Sequence, residues 1–195
     1  MKRAYVIGIA GPSAGGKSTL ALALRDRLPE LRVRLIHMDE YFLPEDQRPR
    51  IAGITDGLDY RDDNHPDALD LERCRMDAAE AAQGNWDVVI IEGLFALWDE
   101  ALLPLLDLKL YVDCDSGSCT ARRVSRNLSF GQELNEILTR YAQAVLPRQR
   151  EYVEPSKWRA DLILNGSTAP ETGLELAAEH IRRACSEGRG ANKEK

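Results

Sequence analysis

Gly11-Pro12-Ser13-Ala14-Gly15-Gly16-Lys17-Ser18-Thr19 is the stretch on which the fold turns. It matches G-x-x-x-x-G-K-[ST] and stands where that spacing carries meaning. The apolar run Ala4-Tyr5-Val6-Ile7-Gly8-Ile9-Ala10 precedes it and the helix-forming residues Leu20 to Leu28 follow. A strand that turns tightly into a helix must point several backbone N–H groups inward, and Gly11, Gly15 and Gly16 permit the angles and close approach this requires. The helix start near Gly16 adds unpaired N–H groups and the positive end of its dipole. Lys17 supplies a full charge for the β- and γ-phosphates, and Ser18 a hydroxyl for Mg²⁺. Ser13, Ala14 and Thr19 complete the loop. These residues predict a bound nucleoside triphosphate.

The chain of 195 residues is long enough for one domain with a sizeable core. A formal net charge of −6 argues against a nucleic-acid partner, and it means that any polyanion must be held by a locally built positive site such as the loop above. Cys74, Cys114, Cys119 and Cys185 form no C-x-x-C pair and have no histidine at metal spacing, so they read as reduced, packed thiols of a cytoplasmic protein. The basic start Met1-Lys2-Arg3 resembles a signal peptide only faintly, since its apolar run is short and the phosphate loop follows at once. No stretch approaches the roughly 20 apolar residues of a bilayer span, and no membrane partner is expected.

Short apolar runs alternate with helical stretches, the rhythm of a parallel sheet built from βαβ units. Five strands are predicted at 4–10, 33–37, 87–91, 108–112 and 161–164, none strictly alternating, as suits strands covered on both faces. A helix capped by Asn64 or Asp63, with Pro66 in its first turn, is expected to run to about Gly84. Further helices are expected over 116–126, 132–145 and 171–185. Residues 43–62, rich in Pro, Gly and charge, read as a substrate-side loop, and 127–132 as the bend of a lid spanning about 117–135. The domain is expected to fill residues 1–187, with 188–195 a frayed tail.

In open α/β sheets ligands gather beyond the carboxyl ends of the strands. Asp39 follows the second strand, whose tip is expected beside the phosphate loop, where a carboxylate can take the proton of an attacking hydroxyl or help hold Mg²⁺. Glu92 closes Val88-Val89-Ile90-Ile91 ahead of Gly93, a Walker B arrangement with Glu in place of Asp, and is a second candidate for Mg²⁺. Asp115 or Ser116 reads as a helix cap. The helix beyond carries Arg122, Arg123 and Arg126 at i,i+4 and i,i+3 spacing, able to close over a triphosphate and stabilise charge in transfer. His37, in an apolar strand, reads as a packed core residue, and His180 as part of a charged helix. Tyr41, Tyr60, Arg61 and His65, in or beside the expected substrate loop, are candidates for binding the substrate.

Leu128-Ser129-Phe130-Gly131-Gln132 differs at one position from the L-S-G-G-Q signature of transporter ATPases, but there the Walker B strand follows the signature, whereas here it precedes. A GTPase reading fails as well, since Asn192-Lys193-Glu194-Lys195 lacks the final Asp of N-K-x-D. In their order, Gly8 through Thr19, Met38-Asp39-Glu40-Tyr41-Phe42, Asn64 through Asp70, Ile91-Glu92-Gly93, Arg122 through Arg126, Glu154 through Lys157 and Ala160 through Ile163 resemble the uridine kinase and phosphoribulokinase family of P-loop kinases. The resemblance implies a three-layer α/β fold, a five-stranded parallel sheet with helices on both faces and an arginine-bearing lid. It also implies transfer of the ATP γ-phosphoryl group to a hydroxyl, with Mg²⁺ as cofactor. Asp39 is then the base, with Lys17, Arg123 and Arg126 at the transferring group, Arg122 at the nucleotide, and Glu92 at metal and substrate.

Two departures bear on the acceptor. Uridine kinases insert a β-hairpin between the H-P-D helix and the E-G strand, where this chain has helix and turn over 71–87, and Asn64 stands where they carry Asp. The lid continues with Asn127, Phe130 and Gln132 in place of Asp and further arginines. A uridine or cytidine kinase is the first expectation. Nicotinamide riboside kinase, whose Asp39-to-Pro44 and Arg126-Asn127 elements are similar, or another kinase of small alcohols or sugars is the alternative, followed by a non-catalytic nucleotide-binding module. Oligomeric state is left open.

Overall fold

Residues 3–190 are described by a computed structural model. Seven strands follow in chain order: β1 (Tyr5–Ala10), β2 (Val33–His37), the short pair β3 (Arg50–Ala52) and β4 (Asp59–Arg61), then β5 (Val88–Glu92), β6 (Leu108–Asp113) and β7 (Leu162–Asn165). Five of them form one parallel sheet in the order β2-β5-β1-β6-β7, each within a residue of the stretch expected for it.

Neighbouring residues of the central strands feed opposite layers. Val6, Val89 and Ile91 point into one core with Cys74, Ala78 and Ala82 of helix α2 (Leu71–Gln83), while Ile7, Val88 and Ile90 point into the other. There they meet Leu20 and Leu24 of helix α1 (Lys17–Asp26) and Leu174, Ala178 and Ile181 of the C-terminal helix (Glu171–Gly190). Both faces are apolar because both are covered. All four cysteines are buried and none is in a disulfide among the described residues. No helix among the described residues is long and apolar enough to cross a membrane.

Several expectations are corrected. β2 does not lie against β1; β5 runs between them, which puts the tip of β5 rather than that of β2 beside the phosphate loop. Pro66 opens a single 3₁₀ turn (Pro66–Ala68), and α2 starts later, capped by Asp70, whose Oδ1 accepts from Arg73 N at 2.9 Å. Within the expected loop, β3 and β4 pair as an antiparallel hairpin. Helix α3 (Ser116–Ser129), capped by Asp115, turns at Phe130 and Gly131 into α4 (Leu134–Arg140). The chain then stays helical past its expected end at 145, through wide π turns at Tyr141–Val145 and Gln149–Val153. Pro147 and Pro155 follow these turns, and a proline collides with the carbonyl four residues back, so widening at Gln143 and Glu151 lets the helix continue. The C-terminal helix extends to Gly190, and the rest of the expected frayed tail lies outside the described residues.

Gly93 is fixed by packing. A Cβ there would stand 2.5 Å from Met38 Cβ, whose position close to the backbone cannot swing away. Gly93→Ala is therefore expected to push the tips of β2 and β5 apart and destabilise the fold by about 1–3 kcal/mol, read as a lowered midpoint in urea denaturation.

Candidate active site

The carboxyl ends of β1, β5 and β2 lie in that order across the sheet, and the phosphate loop springs from β1 at its centre. Gly16 caps α1 at φ 102°, a left-handed angle open to glycine, and the loop can therefore enter the helix without a side chain over its first turn. Ala14 shares the left-handed region at φ 62°. Ser13 through Thr19 line a cleft of about 870 Å³, while Gly11 lies beneath them against Val112.

Lys17 is buried, its Nζ donating to Pro12 O at 3.0 Å, and burial holds its pKa below the ordinary lysine value against the pull of Glu92 and Asp39. Glu92 is 5% exposed. Its Oε1 accepts from Ser18 Oγ at 2.8 Å and lies 2.8 Å from His37 Nδ1, whose residue faces Glu92 across β2 and β5 in register. His37 is thus half-buried and paired with a residue of the cleft, where a packed core histidine was expected; the parallel register that delivers it could not be read from one strand alone. Asp39 opens into the cleft one strand further out, its carboxyl held above the ordinary value by the surrounding protein and by Glu92, with Lys17 and Arg126 pulling it down.

The arginines of α3 divide their work. Arg122 reaches under the cleft, donating to Gly166 O at 2.7 Å, and so ties α3 to the turn after β7. Arg123 is 9% exposed and donates through Nη1 to Ser13 Oγ at 3.0 Å, while its Nε is buried without a partner. Burial and the neighbouring Arg126 and Arg140 push its pKa down to about 10. Arg126 lines the cleft, and its Nε donates to Asn127 Oδ1 at 3.0 Å.

On the acceptor side the residues present differ from those expected. Tyr41 turns into the core and donates to Asp77 Oδ2 at 2.8 Å, leaving its neighbour Phe42 to line the cleft. Tyr60 is taken up inside the hairpin by Asp56 Oδ2 at 2.6 Å. His65 borders neither cavity; its Nδ1 accepts from Asp67 N at 3.1 Å and its ring packs edge-on to Tyr152. Arg61 reaches a smaller pocket of about 150 Å³, formed with Asn127, Gln132, Ile137 and Arg140, which joins the cleft through the shared residues Asp63 and Arg123.

Asp63, expected as a cap, accepts instead from three arginines: Arg48 at 3.0 Å, Arg61 at 2.8 Å and Arg140 at 2.6 Å. Asp63, Asn64, Leu94 and the 166–174 segment all border the cleft without having been singled out as site residues. Of these, Asp63, in a charged stretch with Arg48, Arg50, Arg61 and Asp62, carried a signal in the sequence.

The cleft offers Mg²⁺ an all-oxygen set, Ser18 Oγ with the carboxylates of Glu92 and Asp39. Among the described residues no group of three or more His, Cys, Asp or Glu could hold a metal by itself. Mg²⁺ keeps several waters and takes one or two carboxylates together with substrate phosphate oxygens, a donor class to which these three side chains belong.

Those arginines hold the Asp63 carboxyl below the ordinary value despite partial burial. A lowered folded pKa contributes stability above the unfolded value of about 4 and loses it as pH falls through the folded one. Asp63→Asn is expected to destabilise the fold by about 2 kcal/mol at pH 7, a gap in melting temperature that shrinks as the pH is taken below 4. A gap that stayed constant with pH would remove the charge-based account.

Residues 59–172 match the phosphoribulokinase / uridine kinase family. A uridine kinase of Streptococcus pyogenes is 28% identical over 211 residues, covering 96% of this chain and 99% of that protein. Uridine-cytidine kinase B of Dictyostelium discoideum is 27% identical, over 95% of this chain and 84% of that protein. The uridine kinase of Saccharomyces cerevisiae is 29% identical over 91% of this chain, which spans 40% of that longer protein. Among solved structures, a candidate fructose transport system kinase of Silicibacter sp. superposes with a TM-score of 0.63 at 20% identity, over 84% of this chain and 90% of that one. A possible uridine kinase of Bacillus stearothermophilus gives 0.53 at 18% identity, over 84% and 89%. These likenesses place the fold among known structures of this architecture.

Proposed function

We propose that this chain, which belongs to the phosphoribulokinase and uridine kinase family, transfers the γ-phosphoryl group of ATP to a hydroxyl of a nucleoside, with uridine or cytidine the first candidates. The observation that carries the reading is the convergence on one cleft of the phosphate loop, Asp39, Glu92 and the arginines of α3. The uridine kinases it resembles support the acceptor class.

The cleft has two halves about Lys17. On one side Arg122, Gly166, Thr168, Pro170 and Leu174 form a wall suited to the base and ribose of the donor. On the other, Asp39, Phe42, Asp63, Asn64 and Leu94 form the acceptor side. Mg²⁺ bound with the nucleotide would neutralise phosphate charge next to Ser18, Glu92 and Asp39. Lys17 exchanges its bond to Pro12 O for phosphate oxygens, and Arg123 and Arg126 face the charge that spreads as the phosphoryl group moves. Asp39 accepts the proton of the acceptor hydroxyl; its raised pKa makes it a better base than an ordinary aspartate.

A sugar or another small polyol is the second reading. Tyr41 and Tyr60 do not line the cleft, which leaves Phe42 as its aromatic face, and the adjoining pocket is walled mostly by charged and amide side chains. The discriminating measurement is ADP release with ATP and Mg²⁺ against uridine, cytidine, nicotinamide riboside, fructose and non-nucleoside alcohols. Uridine or cytidine is expected to lead, and ATP binding with no product from any acceptor would leave a regulatory nucleotide-binding module. Asp39→Asn is expected to lower turnover by about 10²–10⁴ with ATP affinity nearly intact, and turnover close to wild type would remove Asp39 as the base.

A further inference from the structure

Glu92 Oε1 has two neighbours at the same distance, Ser18 Oγ and His37 Nδ1, each at 2.8 Å. An ionised carboxylate accepts and cannot donate, so both neighbours must be the donors. This settles two proton positions. His37 carries its proton on Nδ1 wherever this bond is made, and the Ser18 hydroxyl hydrogen points at Glu92, which leaves the Ser18 lone pairs directed away from it. Among the described residues no hydrogen bond is made to Oε2, although Glu92 is one of the residues that line the cleft.

We propose that His37 is a positioning residue for the metal–nucleotide site: by holding Oε1, it fixes the Glu92 carboxylate in the rotation that aims the Ser18 lone pairs and Oε2 into the cleft. The role is local and geometric. His37 sits at the last position of β2, paired in register with Glu92 at the last position of β5, so two strands anchored in the sheet hold the pair. With His37 removed, Ser18 would be the single hydrogen-bond donor to Glu92 among the described residues, and the carboxylate plane could turn about the final side-chain bond away from the orientation the two donors fix. A hydroxyl and a carboxylate that are free to turn lose much of their value to a cation that demands near-octahedral geometry. Loss of such an outer hydrogen bond typically costs ~10–100-fold in metal affinity. His37 does not line the cleft, so it acts through Glu92 and not on substrate.

The inference rests on the kinase reading for the presence of a metal–nucleotide, and its test needs no acceptor. Binding of Mn²⁺ in the presence of ADP is followed by the electron paramagnetic resonance of the ion, alongside ADP affinity in excess chelator and the melting temperature. Two variants are compared: His37→Asn, whose amide N–H can stand where Nδ1–H stands, and His37→Leu, which fills similar space without a donor. His37→Leu is expected to weaken Mn²⁺ binding in the ADP complex about tenfold or more, leaving metal-free ADP affinity and melting temperature near wild type, while His37→Asn recovers most of the loss. Equal Mn²⁺ affinity in wild type and His37→Leu would overturn the proposal. So would a His37→Asn variant as weak as His37→Leu, or a parallel loss of metal-free ADP affinity, which would mark a packing role. If His37→Leu does not fold, His37→Ala takes its place in the same comparison with Asn. A wild-type chain that bound neither ADP nor its Mn²⁺ complex would instead remove the kinase reading itself.

Discussion

Charge buried for a ligand has to be held in place before the ligand arrives. Lys17 spends the free state against Pro12 O with Glu92 and Asp39 nearby, because an ammonium taken out of water without partners would cost several kcal/mol or lose its proton. The arrangement of the cleft follows from that constraint. Glu92 must sit at the tip of the strand next to β1, since only there does its charge reach Lys17 while its oxygen meets Ser18. Asp39 takes the next tip out, farther from the loop and open to the cleft. The arginines of α3 approach from the opposite wall and balance the acids across the space where a polyphosphate would lie.

How much of this could be read in the chain depends on what kind of interaction placed each residue. The phosphate loop is local: nine consecutive residues between a strand and a helix determine their own conformation, so Ser13 through Ser18 stand where their spacing implied. The strands were equally legible, because runs such as Val88-Val89-Ile90-Ile91 need burial on both faces and leave little choice. The order of strands was not, and with it went the neighbour relation between His37 and Glu92, which arises from pairing across 55 positions of sequence. The acceptor side was hardest. Tyr41 and Phe42 are consecutive aromatics, and which of them enters the core depends on Asp77, a turn of α2 away from anything near them in the chain. Asp63 looked like a cap by its position before Pro66, but a carboxylate within reach of three guanidinium groups gains more from them than from two backbone N–H groups.

The two halves of the cleft are therefore built to different rules. The side proposed for the donor is made of strand tips and helix starts held by the two apolar layers. The acceptor side is made of a hairpin, a 3₁₀ turn and a lid helix, held together by ion pairs and amide contacts such as Thr55 with Gln143. Selectivity can change through residues of the second set while phosphoryl chemistry persists on the first. Family membership thus says more about the donor and the reaction than about the hydroxyl that receives the phosphate.

The Asp62-Asp63 pair has a mechanical consequence. Asp62, fully buried, bonds Arg148 at 2.6 Å, and Asp63 joins Arg48 and Arg61 from the hairpin segment to Arg140 from α4. The hairpin segment and α4 are in this way joined through partly buried charge, in addition to the amide contacts of Thr55 with Gln143, and moving either away strands charge on the other. Parting them therefore costs the charge-assisted bonds that Asp63 accepts from both sides.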